Sequence, residues 1–266
     1  MTVMPIGGEP FRARKLNFIA TRAAEEMIRQ CRRTAMLLPE LADALAVQRI
    51  DQPGRLFDIT DYPDHDKELI TQALGEGEVG GVAAFSNGIT AQIQEAVVAG
   101  VWHIRFTDAE GRLVADYVEV ASIPAVVRQA CLALPAAIRH GPAPDGAMNV
   151  MPLLTEIGDR ITRHRDGEPA HFITFSLFPM SPEDMAFLQE TLGVGPVQLT
   201  SRGHGTCRVV ATGTRNVWSI QFYNAMDTII LDTLEICDIP SVAIATEEDF
   251  RDSEARLREI EEAYFK

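Results

Sequence analysis

Apolar and polar positions fall into the same rhythm twice along this chain, from about Leu56 to Val127 and again from about Phe172 to Ala243. The clearest beat is Trp218, Ile220 and Phe222 against Ser219, Gln221 and Tyr223, the alternation of a strand with one buried face. Around it lie further short runs rich in β-forming residues: Val79 to Phe85, Ile89 to Val98, Val101 to Phe106 and Leu113 to Val120. The later stretch offers Val197 to Ser201, Cys207 to Ala211, Val217 to Tyr223 and Thr228 to Ile236. Turns containing glycine separate the runs, which predicts antiparallel meanders.

Each meander is preceded by a short apolar segment (Phe57 to Thr60; Phe172 to Phe178) and then by a helix start, at Asp64-His65-Asp66 or at Ser181-Pro182-Glu183-Asp184. Ser181 suits the N-cap and Pro182 the first helical position, where a missing N–H costs nothing. These helices run to Leu74 and Leu192, and Gly75 and Gly193 come next, where a C-terminal cap wants a positive φ. The glycines close a helix rather than open one, so they read as caps and not as a phosphate loop. Ile123-Pro124 and Ile239-Pro240 are expected to begin further helices.

Laid over one another, the two stretches agree in detail. Leu74-Gly75-Glu76-Gly77-Glu78-Val79 falls over Leu192-Gly193-Val194-Gly195-Pro196-Val197. Val101-Trp102, Ile104 and Phe106 fall over Val217-Trp218, Ile220 and Phe222; Asp116, Glu119 and Ile123-Pro124 fall over Asp232, Glu235 and Ile239-Pro240. The offset is 118 at the glycines and 116 from the tryptophans to the prolines, and the chain has only 2 tryptophans. This pattern reads as an internal duplication. The expected fold is α+β, an internally duplicated helix-plus-antiparallel-meander module in a pseudo-twofold arrangement with flanking helices.

The expected organisation is an N-terminal helical extension over 1–50, a first repeat over 51–138 and a second over 171–245. Residues 139–170 form a linker and amphipathic helix, and 246–266 a C-terminal helix. Thr21 to Arg33 can bury Ala24, Met27, Ile28 and Cys31 on one helical side. Val150, Leu153, Leu154, Ile157 and Ile161 have helical spacing, and Thr246-Glu247-Glu248-Asp249 is a capping signature ahead of Phe250, Leu257, Ile260 and Tyr264.

A hydrophobic fraction of 46% and a charged fraction of 23% over 266 residues belong to a globular chain with a real core. The formal charge of −14 would repel a polyphosphate backbone, and Arg29, Arg32 and Arg33 are balanced by Glu25, Glu26 and Glu40, so no nucleic-acid partner is expected. No apolar run approaches the roughly 20 residues of a membrane span. Met1 to Pro10 lacks the apolar region of a signal peptide, and Pro39, Glu40 and Asp43 interrupt the apolar stretch after the Arg32-Arg33 pair; the expected location is the cytoplasm. Cys31, Cys131, Cys207 and Cys237 form no C-x-x-C pair and read as reduced thiols filling the core.

Among candidate sites the most unusual segment is Thr200 to Arg208. Ser201, Arg202, Gly203, His204, Gly205 and Cys207, with Arg215 nearby, are the expected partner-binding residues. Two glycines there permit backbone exposure to a ligand, His204 with Cys207 offers a soft metal pair, and Arg202, Arg208 and Arg215 offer a positive patch for a carboxylate or peptide. The same residues also suit a plain hairpin turn in which Cys207 starts a buried strand. Asp116, Asp232, Glu119 and Glu235 recur in both stretches, as an acid–base or cation pair or as inherited structural positions. Trp102 and Trp218 read as core anchors. No catalytic motif is present, so no catalytic residue is assigned and the chain is not expected to be an enzyme.

The run Asp184 to Val197, then Ser201 to Cys207, Asn216-Val217-Trp218, Gln221 to Asn224 and Leu231 to Glu235 through Ile239-Pro240, resembles the HupH/HyaF family of hydrogenase expression and formation proteins. Leu38 to Leu41, Leu74 to Glu78, Ile93 to Glu95 with Gly100-Val101-Trp102, and Leu153 to Ile157 agree with it. The resemblance covers roughly Leu37 to the C-terminus; residues 1–36 depart from it, and His204 stands where an aromatic is expected. It implies an accessory protein of [NiFe] hydrogenase maturation, a chaperone for the iron–sulfur small subunit before twin-arginine export. The implied partners are the small-subunit precursor and other hydrogenase maturation proteins; no cofactor is assigned, with an iron–sulfur cluster as the open alternative. Two alternatives stand beside it: iron–sulfur or metal handling through Cys207, perhaps with Cys237, and an enzyme whose site lies between the repeats.

Overall fold

The computed structural model describes residues 29–203 and 205–265. Most of the helix expected over Thr21 to Arg33 lies outside them, as does His204. In chain order the elements are α1 (Arg32–Val47), β1 (Arg55–Asp58), α2 (Asp64–Leu74), β2 (Val79–Ala84), β3 (Thr90–Glu95), β4 (Val101–Thr107), β5 (Leu113–Val120) and α3 (Ala125–Cys131). They continue as α4 (Val150–Arg163), β6 (His171–Thr174), α5 (Pro182–Leu192), β7 (Val194–Ser201), β8 (Thr206–Thr212), β9 (Val217–Tyr223), β10 (Ile229–Ile236) and α6 (Glu247–Phe265). Single 3-10 turns cover Phe175–Leu177 and Ser241–Ala243.

The strands form one antiparallel sheet in the order β1-β5-β4-β3-β2-β7-β8-β9-β10-β6. In both halves the strand that precedes the helix pairs with the last strand of the meander, β1 with β5 and β6 with β10. The halves join where β2 pairs with β7, Val79 opposite Ser201 and Ala83 opposite Val197. The α+β class and the antiparallel meanders expected from the alternation are what the fold contains.

Strand alternation sends side chains to two faces, and both are used. On one face Trp102, Ile104, Ile93, Trp218, Ile220 and Val209 pack with Val127 of α3 and with Ile239 and Ala243, a core shared by both halves. On the other face α1, α2 and α6 cover the first half through Leu38, Leu41, Ile70, Phe250 and Leu257. The second half is covered there by α4 and α5 through Leu153, Ile157, Leu188 and Leu192. The C-terminal helix α6 therefore returns across the molecule to lie along α1.

The helix ends are built as the sequence suggests. Ser181 Oγ accepts from the Asp184 N–H, and the Asp184 carboxylate accepts from the N–H of Ser181, a reciprocal capping box. Gly75 and Gly193 close their helices with φ of 58° and 67°.

Two expectations are corrected. The helix expected from Ile239-Pro240 is only the turn Ser241–Ala243. The chain must straighten there, because the Ala245 N–H donates to Ser122 O of the first half at 2.9 Å. The strand run expected over Ile89 to Val98 ends at Glu95, because the Ala96 N–H turns to Val101 O.

Candidate functional site

The β7–β8 hairpin carries most of the residues singled out from the sequence, and the structure divides them. Ser201 ends β7 opposite Cys207, and Arg202, Gly203 and Gly205 lie in the turn, where Gly205 takes φ of 116° and the Arg202 N–H donates to Glu78 O at 3.0 Å. A Cβ on Gly203 would meet Glu78 Oε2, so the turn is closed against the residues leading into β2. Cys207 is not at this surface: its side chain is buried in the shared core. Arg215 lies past the far end of β8, where its guanidinium donates to Leu134 O at 3.2 Å and to Leu132 O.

On the sheet face opposite the shared core, the centre is polar and, among the described residues, has no helix packed on it comparable to those on its flanks. The strand registers carry one polar row across it: His103, Gln94, Gly80, Thr200, Arg208, Gln221 and Asp232. A second row runs beside it: Asp116, Arg105, Gln92, Val82, Gln198, Val210 and Ser219. With strands about 4.8 Å apart, each row is roughly 30 Å long. One wall is α2: a hollow of about 420 Å³ is enclosed by Thr71, Leu74, Gly75, Glu76 and Glu78 above Gly80, Gln92, Gln94, Arg105 and Arg202. A second hollow of about 690 Å³ shares Thr71, Gln92, His103 and Arg105 and continues to Lys67 and Asp116.

The ends of this floor are internally satisfied. His103 Nε2 lies 2.7 Å from Asp116 Oδ1, with Lys67 Nζ 4.0 Å from Oδ2. Gln221 Nε2 donates to Asp232 Oδ2 at 3.1 Å and Tyr223 Oη donates to Gln221 Oε1 at 2.8 Å. The middle is different. Arg105, Arg202 and Arg208 are exposed, and among the described residues no carboxylate oxygen lies within 4.0 Å of them. With its amide oxygen turned to the guanidinium, Gln198 accepts from Arg208 Nη2 at 2.9 Å.

The repeated carboxylates separate into two kinds. Asp116 and Asp232 belong to the polar face and stand on β5 and β10, with six strands between them. Glu119 and Glu235 lie on the core face, directly opposite Trp102 and Trp218. In the first half every polar atom of this pair is used: Trp102 Nε1 donates to Ala121 O at 2.9 Å, and Glu119 accepts from the Ala125 N–H at 3.1 Å. In the second half Trp218 Nε1 and Glu235 Oε2 are buried without a partner among the described residues. Burial raises the Glu119 carboxyl, partly offset by the Ala125 N–H, and pushes Glu235 up to about 7.

Burial, with Glu235 adding, pushes the Cys207 thiol up to about 11 and raises Cys237 as well. These are protonated thiols at neutral pH. The register places Phe222 opposite Cys207 and Leu231 opposite Phe222, six positions and so ~20 Å of strand from Cys237. Among the described residues the group with metal-ligand spacing is instead His164, Asp166 and Asp238, whose ligand atoms lie within 4.8 Å of one another. Asp238 is already engaged, by His164 Nε2 at 2.7 Å and the Gly167 N–H at 2.8 Å. A cleft of about 870 Å³ between the halves is lined by Glu119, Arg128, Glu168 and Asp238 together with Ile123, Pro169 and Ile239.

Sequence reasoning reached the turn but missed the floor. Its signal was present as Gln92 and Gln94, Gln198 and Thr200, and Arg208 at alternate positions of strands, but which strands adjoin decides whether such positions make a surface.

The family model described as "HupH hydrogenase expression protein, C-terminal conserved region" matches residues 33–139 and again residues 147–264. The chain is similar to "Hydrogenase expression/formation protein HupH" of Rhizobium leguminosarum bv. viciae, 82% identical over 100% of this chain and 95% of that protein. It is 43% identical to "Hydrogenase expression/formation protein HoxQ" of Azotobacter vinelandii, over 85% of this chain and 80% of that one. It is 33% identical to "Hydrogenase-1 operon protein HyaF" of Escherichia coli K12, over 84% and 74% respectively. Among solved structures it is similar to the hydrogenase expression protein HupH from Thiobacillus denitrificans, 26% identical over 42% of this chain and 95% of that one, with a TM-score of 0.40.

Proposed function

The chain belongs to the HupH family of hydrogenase expression proteins, and from that premise we propose that it is an accessory protein of [NiFe] hydrogenase maturation that acts by holding another polypeptide. The observation that carries this reading is the 82% identity to a hydrogenase expression/formation protein along its whole length. The polypeptide held is the iron–sulfur small-subunit precursor, in the cytoplasm and before twin-arginine export, in concert with other maturation proteins. The formal charge of −14 suits a precursor with a basic export signal, and α6 carries a dense set of carboxylates for that contact. The chain works by binding rather than by turnover.

The body that does this is, in the same proposal, a duplicated module with a pseudo-twofold between β2 and β7. In support, one family model matches both halves. The strand order also reads the same outward from the β2–β7 joint, and both tryptophans face a glutamate across the same pair of strands. The alternative in which Cys207 ligates a metal or cluster is disfavoured by its burial and its raised thiol pKa.

Tagged full-length chain purified from a hydrogenase-producing cell should carry small-subunit precursor in excess over unrelated export substrates. Equal recovery of both would remove the reading.

A further inference from the structure

We infer that the polar floor spanning β4 to β10 is a docking surface for an extended, carboxylate-bearing polypeptide segment. This rests on the reading that the chain holds a hydrogenase polypeptide, and it says where and by what chemistry. Among the described residues the floor is long and open: two adjacent rows, each roughly 30 Å, match a stretch of about nine extended residues rather than a small molecule.

With Gln221 at its end taken up by Asp232 and Tyr223, side-chain amides recur along its middle, at Gln92 and Gln198. Each offers both donors and an acceptor, which is what the N–H and C=O groups of an unpaired backbone require. Thr200 and Ser219 add hydroxyls of the same double capacity. Arg105 and Arg208 stand in the two rows and Arg202 at the hairpin turn beside them. Asp116 faces Arg105 across β4 and β5, and Glu76 and Glu78 share a hollow with Arg105 and Arg202. Among the described residues, however, no carboxylate oxygen comes within 4.0 Å of the three guanidinium groups, in a chain whose net charge is −14. A guanidinium presents a fork of donors suited to a carboxylate, so the occupant supplies Asp or Glu side chains there. The ends, closed by Asp116 with Lys67 and by Asp232 with Gln221, limit the charged contact to the middle.

The test uses the full chain and fluorescently labelled 12-residue Gly/Ser peptides bearing three Glu, three Lys or three further Ser. Anisotropy at low salt should show the Glu peptide bound at least tenfold more tightly than the Ser peptide, and weakening as salt is raised. The pair R105E/R208E should abolish that preference, and the milder R105Q/R208Q should reduce it, with circular dichroism and Tm unchanged. R112E, at an exposed arginine already paired with Asp108 and Glu110, should leave it intact. Equal binding of the Glu and Ser peptides, or an undiminished preference in R105E/R208E, overturns the proposal. So does displacement of the peptide by an equal concentration of free glutamate, or tighter binding of a single-stranded oligonucleotide. Precursor retained equally by wild type and R105E/R208E would sink this site while leaving the holding function in place. An arginine-dependent Glu-peptide preference in a chain that retains no precursor would do the reverse.

Discussion

At the scale of single residues the two tryptophans are the best-marked positions, and the environments behind them differ. Both indoles are buried opposite a glutamate, but among the described residues Trp102 has a partner for its N–H and Trp218 has none. Trp102→Phe leaves Ala121 O without its donor, whereas Trp218→Phe removes a donor that had no acceptor. The first should cost about 1–2 kcal/mol more than the second in urea unfolding, the range of a lost buried hydrogen bond; equal costs would show that the orphan in the second half is bonded after all. Glu235 makes a pH prediction. Its carboxyl is raised from 4.5 to about 7, so the folded state holds its proton more tightly than the unfolded state. The stability it contributes is whole below about pH 4.5 and is lost as pH rises through about 7. Glu235→Gln should therefore gain on wild type as pH rises from 5 to 8, by roughly 2 kcal/mol once screening is allowed for, and a gap independent of pH would refute the assignment. The sequence made both pairs visible as repeated positions. It could not show that Ala125 begins a helix whose N–H reaches Glu119 while the matching stretch at Ser241 makes only a turn.

At the scale of elements, capping and periodicity were legible because they are local. The reciprocal bonds of Ser181 and Asp184, the amphipathic α4 and the Thr246–Asp249 start of α6 all arise from residues within a few positions of each other. What α6 covers was not legible, because its partner α1 lies some 200 positions earlier in the chain. Leu257 is fully buried against α1, and Leu257→Ala should cost about 2–4 kcal/mol in chemical unfolding. A cost under about 1 kcal/mol would mean that α6 is not packed there. Asp184 works across elements as well as at its own cap. Burial would raise its carboxyl, but the N–H groups of Ser181, Asn149, Met148 and Val150 overcome this and hold it near 2, tying the start of α4 to the start of α5. Because the folded pKa is depressed, that stabilisation is present above the unfolded value near 4 and fades as pH falls toward 2. Asp184→Asn should lower Tm at neutral pH, with the difference shrinking on acidification through that window.

At the scale of the whole molecule the question is whether the two halves are separate bodies or one. Residues 139–146 read from the sequence as a linker, and they are exposed. The halves nevertheless share a sheet through β2 and β7, and one core contains both tryptophans. That union depends on close backbone approach: a Cβ at Gly81 would lie 2.2 Å from Gln198 O and 2.8 Å from the Leu199 Cα. Ala245 of the second half adds a further tie by donating to Ser122 O, and α6 then packs on α1. A protease site placed within 139–146 and cleaved should accordingly leave both fragments eluting together at the size of the intact chain, with little loss of Tm. Gly81→Val in the same cleavable chain attacks the joint itself, where overpacking typically costs about 1–3 kcal/mol, and should let the fragments part at lower urea than the cleaved parent. Separation of the cleaved parent in buffer alone would show that the shared core does not bind the halves. A floor running across both of them could not then be presented as one continuous surface, so the integrity of the joint is a physical precondition for the docking proposed on it.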